Sequence, residues 1–141
     1  MRRHVSATYR SGLEVSVDEQ LRAAGHPFGY ETEKIPYIKP STSHKYTPDF
    51  VLSNGTKTIY VETKGIWDSD DRKKHLLIRK QHPELDIRFF FSRSKAKIRK
   101  GSLTTYGMIC QGLGRGEFKN ITWQYADKTI PLEWLKEIYY D

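Results

Sequence analysis

Two acids and a lysine could do chemistry together in this sequence: Asp49 in "TPDF", and Glu62 and Lys64 in "VETKG". Carboxylate oxygens are the ligands that a hard divalent cation such as Mg²⁺ prefers. Such an ion polarises a phosphoryl oxygen and lowers the pKa of a nearby water. A lysine beside it can orient the attacking water or stabilise negative charge developing on a phosphate. The same residues also suit a plainer role, with Glu62 and Lys64 paired on the solvated face of a sheet.

Whether the three side chains meet depends on the strands that carry them, because side chains alternate between faces. Phe50 and Leu52 share one face of a first strand, and Ile59 and Val61 one face of a second. Asp49 lies opposite in the first, and Tyr60, Glu62 and Lys64 opposite in the second. Asn54-Gly55 between them has the form of the favoured two-residue hairpin loop. That loop predicts Phe50 opposite Ile59 and Asp49 opposite Tyr60, with Glu62 on the diagonal about 7–8 Å from Asp49 at the backbone. A four-residue loop would instead set Asp49 directly opposite Glu62, and only an odd loop without a bulge would part them. Two carboxylates about 5 Å apart repel by roughly 3 kcal/mol at an effective dielectric of about 20. A divalent cation removes that cost.

The 141 residues are the size of one domain. Only 37% are apolar, but nine Tyr, six Phe and three Trp supply large buried area, and 29% charged residues is ordinary for a globular chain. A net charge of +7 favours a polyanionic partner. No window approaches the ~18 apolar residues of a membrane span and no signal peptide opens the chain, so a soluble, intracellular protein without a membrane partner is expected. The single cysteine, Cys110, excludes a disulfide framework and a zinc ribbon within one chain, and the histidines lack zinc spacing. Cys110 and Trp67 read as packing residues.

Along the chain, residues 1–9 read as a flexible basic leader and 10–141 as one domain. "SGLEVSVDEQLRAAGHP" reads as a helix capped by Ser11 and stopped by Gly25 and Pro27. Phe28 to Pro40 looks extended, with Pro36 and Pro40 at edge or linker positions. "DSDDRKKHLLIRKQHPEL" is a second helix with acids in its first turn, and "LDIRFFFS" a buried strand. "RSKAKIRKG" reads as an exposed arm, "TTYGMICQGLGRGEF" as a short helix running into a glycine-rich loop, and "NITWQYA" as a strand. "IPLEWLKEIYY" is a final helix begun by Pro131. Strands mixed with flanking helices make this an α/β domain. Glu14, three residues after Ser11, completes a Ser-x-x-Glu capping box or, alternatively, serves as a further metal ligand.

Pro48-Asp49 … Glu62-Thr63-Lys64 resembles the PD-(D/E)xK signature of restriction-endonuclease-like nucleases. "RSGLE", "IPYIKP", "HKYTPDF", "VETKGIWDSDDRKKHLLIRKQHPELDIRFFFS" and "IPLEWLKE" resemble the phage endonuclease I family of Holliday-junction resolvases, in the same order over most of Arg10 to Glu137. The resemblance implies a restriction-endonuclease-like mixed sheet flanked by helices, in an intertwined, domain-swapped homodimer whose bridge spans residues 35–46. It implies catalysis by Glu14, Asp49, Glu62 and Lys64, with Glu14 supplied in trans. Asp49, Glu62, Glu14 and the Thr63 carbonyl would hold Mg²⁺, with Mn²⁺ as a substitute. The expected reaction is phosphodiester hydrolysis in branched DNA, leaving a 5′-phosphate and a 3′-hydroxyl, with no small-molecule substrate, in the cytoplasm of an infected host. The other readings weighed are a PD-(D/E)xK nuclease of restriction or repair type and a junction-binding protein that does not cut. The hairpin between Asp49 and Glu62 and the segment 107–127 are longer than the family leads one to expect, and no lysine-rich tail follows the last helix.

The basic residues Arg72, Lys73, Lys74, Arg79, Lys95, Lys97 and Arg99, with Arg10, fall in runs that suit either a solvated face or a grip on backbone phosphates. His44 and Tyr46, just before the motif, could touch the scissile phosphate or serve structural or bridge roles.

Overall fold

A computed structural model describes residues 9, 11–39 and 42–140. Ser11 caps helix α1 (Gly12–Ala24), its side chain accepting from the Glu14 amide, and Gly25 closes the helix in the left-handed region at φ 78°. The chain then forms β1 (Gly29–Tyr30), β2 (Ile35–Lys39), β3 (Thr42–Tyr46), β4 (Phe50–Ser53) and β5 (Thr58–Lys64). Helix α2 (Ser69–Gln81), capped by Asp68, crosses over to β6 (Ile87–Phe91), all of whose residues are buried. A short helix α3 (Tyr106–Cys110) precedes β7 (Gln111–Leu113), β8 (Lys119–Thr122), β9 (Tyr125–Asp127) and helix α4 (Leu132–Tyr139).

The main sheet runs β1-β4-β5-β6-β9, antiparallel from β1 to β5 and parallel from β5 to β9. This is the mixed sheet flanked by helices that the sequence leads one to expect. One face carries Phe50, Leu52, Ile59, Val61 and Phe90 against Val17 and Leu21 of α1 and Trp134, Leu135 and Ile138 of α4. The other carries Val51, Tyr60 and Ile87 against Ile78 of α2 and Ile35, Tyr37 and Tyr46 of the β2–β3 pair. Trp67 and Cys110 are buried among Phe89, Phe91, Tyr106 and Trp123, as packing residues should be. Burial pushes the Cys110 thiol far up, out of reach of nucleophilic chemistry.

Arg88 locks α4 to the sheet. Its fully buried guanidinium bonds both oxygens of Asp86 (2.8 and 2.7 Å) and both of Glu137 (2.8 and 3.0 Å). The two to Glu137, with a third from Lys57, hold its carboxyl at about 2, well below the usual range.

Two expectations are corrected. The β4–β5 turn is not a two-residue Asn54-Gly55 loop: Ser53 pairs with Thr58, leaving four residues between the strands. A type I′ turn needs positive φ at both central residues, and only Gly55 has it, at 89°. Asn54 instead organises the wider loop, its Oδ1 accepting from the amides of Thr56 (2.8 Å) and Lys57 (2.7 Å). Second, "NITWQYA" is two strands in different sheets, broken where Trp123 turns inward, and β8 forms a small hairpin with β7 inside the expected glycine-rich loop. Within the expected bridge, β2 pairs with β3 in this chain from Ile35↔Tyr46 to Lys39↔Thr42. The leader lies outside the described residues except for Tyr9, which packs edge-on to Tyr30.

Candidate active site

The pairing registers assemble the acids. Gly29 pairs with Val51 and Tyr30 with Phe50, so one further step sets Glu31 beside Asp49, and the Glu31 amide donates to the Asp49 carbonyl at 2.9 Å. Phe50 pairs with Val61, so one further step sets Asp49 opposite Glu62. Glu31, Asp49 and Glu62 therefore form a row across three adjacent strands. Helix α1 adds Glu14, which is buried and accepts from the Tyr30 hydroxyl at 3.2 Å. Carboxylate oxygens of Glu14, Glu31 and Asp49 lie within 4.8 Å of one another.

Asp49 and Glu62 are nearly sealed from water, at 4% and 6% exposure, which rules out the solvated sheet face. Each has fixed partners. Asp49 Oδ2 accepts from both the amide (2.9 Å) and the hydroxyl (2.8 Å) of Thr63. Glu62 Oε1 accepts from the Tyr46 hydroxyl at 2.6 Å, and Oε2 lies 3.3 Å from Lys64 Nζ. Lys64 also pairs with Asp71, in the first turn of α2, at 2.5 Å. Burial and the Asp49 charge push the Glu62 carboxyl up to about 7, against the opposing pull of Lys64 and Tyr46. Burial pulls Lys64 down, but Glu62 and Asp71 outweigh it and keep the ammonium charged. Behind these residues His75 is fully buried against Tyr46 and Phe89, and desolvation keeps its ring neutral.

All four expected catalytic residues and Thr63 line one small cleft with Ser11 and Ile66. A larger polar cleft opens from Asp49, Glu62 and Lys64 past Glu31, ringed by Lys34, Lys45 and Lys74. Within this single chain a carboxylate oxygen of Glu14 lies within 4.8 Å of one of Asp49. The donor set suits a hard cation, since it is made of carboxylates whose mutual repulsion an ion would relieve. Glu62 faces Lys64 and Tyr46, while Glu31 joins Glu14 and Asp49.

The expected DNA-contacting residues divide. Lys73, Lys95, Lys97 and Arg99 are exposed, as is His44, whose ring stacks on Tyr37. Lys74 sits 5.4 Å over the Tyr46 ring, and Arg79 donates to the Thr122 carbonyl. Tyr46 itself is 1% exposed, and its hydroxyl positions Glu62. Arg72 is also turned inward, donating to the Trp67 carbonyl. Arg10 lies outside the described residues. Sequence reasoning missed Glu31 and the pairing of Asp71 with Lys64. Asp71 reads as an ordinary helix-start charge, and no local signal marks Glu31 until β1 is laid beside β4.

The sequence profile of the phage endonuclease I family matches residues 1–140 of this chain. The chain belongs to the phage endonuclease I family. It is 56% identical over 129 residues to endonuclease I of Escherichia phage T7, covering 92% of this chain and 79% of that protein. It is 54% identical to endodeoxyribonuclease 1 of Enterobacteria phage T3, over 92% of this chain and 78% of that protein. Membership makes it an endonuclease, a hydrolase of phage type. No helix among the described residues is long and apolar enough to cross a membrane.

Proposed function

We propose that this endonuclease is a divalent-metal-dependent enzyme that hydrolyses phosphodiesters at four-way and other branched DNA junctions, working as a domain-swapped homodimer. The observation that carries the reading is the convergence of Glu14, Asp49, Glu62 and Lys64 on one cleft, with Glu31 completing a tight carboxylate group. Glu14, Glu31, Asp49 and Glu62, with the Thr63 carbonyl, would hold Mg²⁺ or Mn²⁺, which supplies charge neutralisation at the scissile phosphate and eases deprotonation of water. Lys64, steered from both sides by Glu62 and Asp71, presents its ammonium to the attacking water and the phosphate oxygens. Tyr46 and Thr63 fix the two carboxylates they touch, so little reorganisation is needed when DNA arrives. The products would carry a 5′-phosphate and a 3′-hydroxyl. DNA as substrate is supported by the name of the T3 relative and by the +7 net charge.

The sequence between β2 and β3 supports the swap. Pairing of Lys39 with Thr42 leaves only Pro40 and Ser41 to join β2 and β3. Two-residue hairpins favour positive φ at the first central position, which proline, fixed near −65°, cannot adopt. A bridge in place of a closed β2–β3 hairpin would send α1 and Glu14 to the neighbouring chain and rebuild the same contacts there.

Synthetic four-way junctions and their linear arms, incubated with and without Mg²⁺, test the reaction. Nicking should require the junction and the metal, and Lys64→Ala should lower the rate at least a hundredfold. Unchanged nicking by Lys64→Ala would sink the mechanism. Heterodimers of Glu14→Ala with Asp49→Ala chains test the swap: sharing in trans leaves one intact site and measurable cleavage, whereas sites closed in cis leave none.

A further inference from the structure

Away from the carboxylates, a cavity of about 450 Å³ lies between the basic arm and the β7–β8 insert. That is the size range of pockets that take organic ligands. Ile98, Leu103, Ile109 and Phe118 form its apolar walls, and Arg72, Arg99 and Arg115 supply three guanidinium groups. Among the described residues, no carboxylate lines it. Glu117, in the same turn as Arg115 and Phe118, is directed to Lys80 at 3.2 Å. Asp71 is engaged by Lys64, and Asp68 caps α2. Arg99 repels Arg72, although Asp68 and Asp71 also act on Arg72, and an anion in the cavity would meet three cationic side chains. Leu103 is 82% exposed at its mouth, a large apolar side chain with no role in the core.

Paired duplex would use only the charges, because its base faces are stacked inside the helix. Apolar walls under a cationic rim match a base that has left the stack, with its phosphate attached. The position fits as well: Asp71 reaches the candidate active site and Arg72, the next residue, reaches this cavity, so the two flank one turn of α2. We infer that the cavity is a second DNA site that takes an unpaired nucleotide of the branched substrate, its base against Leu103 and Phe118 and its phosphate on Arg99 and Arg115. The inference rests on the branched-DNA reading above and adds a preference for branches that carry unpaired nucleotides.

The probes are two synthetic junctions of one sequence, fully paired or with one unpaired 2-aminopurine nucleotide at the branch, titrated with the whole protein in EDTA. The unpaired probe should bind about tenfold tighter, the scale of one base stacked on protein, and its fluorescence should change on binding. Leu103→Ala and Arg115→Ala should remove that preference and the fluorescence change while leaving affinity for the paired junction within about twofold. Equal wild-type affinity for both probes, or variants that weaken both probes alike, would overturn the pocket. Failure to bind the paired junction above linear duplex would instead overturn the branched-DNA reading, so the two failures are distinct.

Discussion

Glu62 is the residue on which charge, burial and hydrogen bonding converge. Its carboxyl is held near 7 by burial and by Asp49, and Tyr46 is one of two groups pulling it back down. A bound cation needs the ionised form, so metal binding must release the Glu62 proton below that pKa. Mg²⁺ affinity without DNA should therefore fall about tenfold per pH unit below about 7 and level off above it, as followed by calorimetry from pH 6 to 9. Tyr46→Phe deletes a charge-assisted hydrogen bond of about 1.5–3 kcal/mol and moves the break upward. Cleavage by that variant should be depressed at pH 7 and partly recovered at higher pH. A break that stays in place would show that Tyr46 acts only as a packing residue. The sign follows from the direction: removing a group that lowers the carboxyl pKa leaves more Glu62 protonated at any given pH.

At the scale of elements, the β4–β5 hairpin keeps its parity because the loop has an even number of residues. Phe50, Leu52, Ile59 and Val61 fill one core while Asp49 and Glu62 stay on the other side, and a one-residue slip would exchange those faces. Deleting Thr56 and Lys57 together should leave an Asn-Gly turn with the same faces and retain cleavage. Deleting Thr56 alone should abolish cleavage and lower the melting temperature. Equal loss in both deletions would mean that loop contacts, such as Asn54 Nδ2 to the Ile138 carbonyl (2.9 Å), matter more than parity. The α4–sheet junction is a separate case. Arg88→Ala strands two acids that keep about a third of their side-chain surface in water, so its cost should be about 3 kcal/mol in urea unfolding, the low end for a broken buried pair. Glu137 has its pKa depressed to about 2, so its contribution is complete above its ordinary pKa and fades as pH falls toward 2. The variant should lose that acid-dependent part of its stability.

For the whole molecule, the proposed swap turns on the link between β2 and β3, residues 40 and 41. Residues on its N-terminal side supply Glu14 and Glu31, and those on its C-terminal side supply Asp49, Glu62 and Lys64. Pro40→Asn combined with Ser41→Gly installs residues suited to a type I′ turn and should shift the protein toward a closed monomer, seen as a lower mass in sedimentation. A dimer unchanged by that substitution would place the dimer contacts elsewhere than in a β2–β3 exchange.

Local rules determined much of this protein. Ser11 and Gly25 bound α1, Asp68 caps α2, and strand alternation put Asp49, Glu62 and Lys64 on a common face, because capping and parity depend only on near neighbours in the chain. The choice between a two- and a four-residue loop, the break at Trp123, the Glu31–Asp49–Glu62 row, and the partnerships of Tyr46 and Asp71 were left to tertiary structure. Each depends on which distant segment packs alongside: β1 beside β4, Trp123 against Trp67, the first turn of α2 over Lys64. Sequence spacing encodes the periodicity of one element, whereas burial and electrostatics act between elements, so the candidate ligands could be read along the chain and the geometry that tunes them could not.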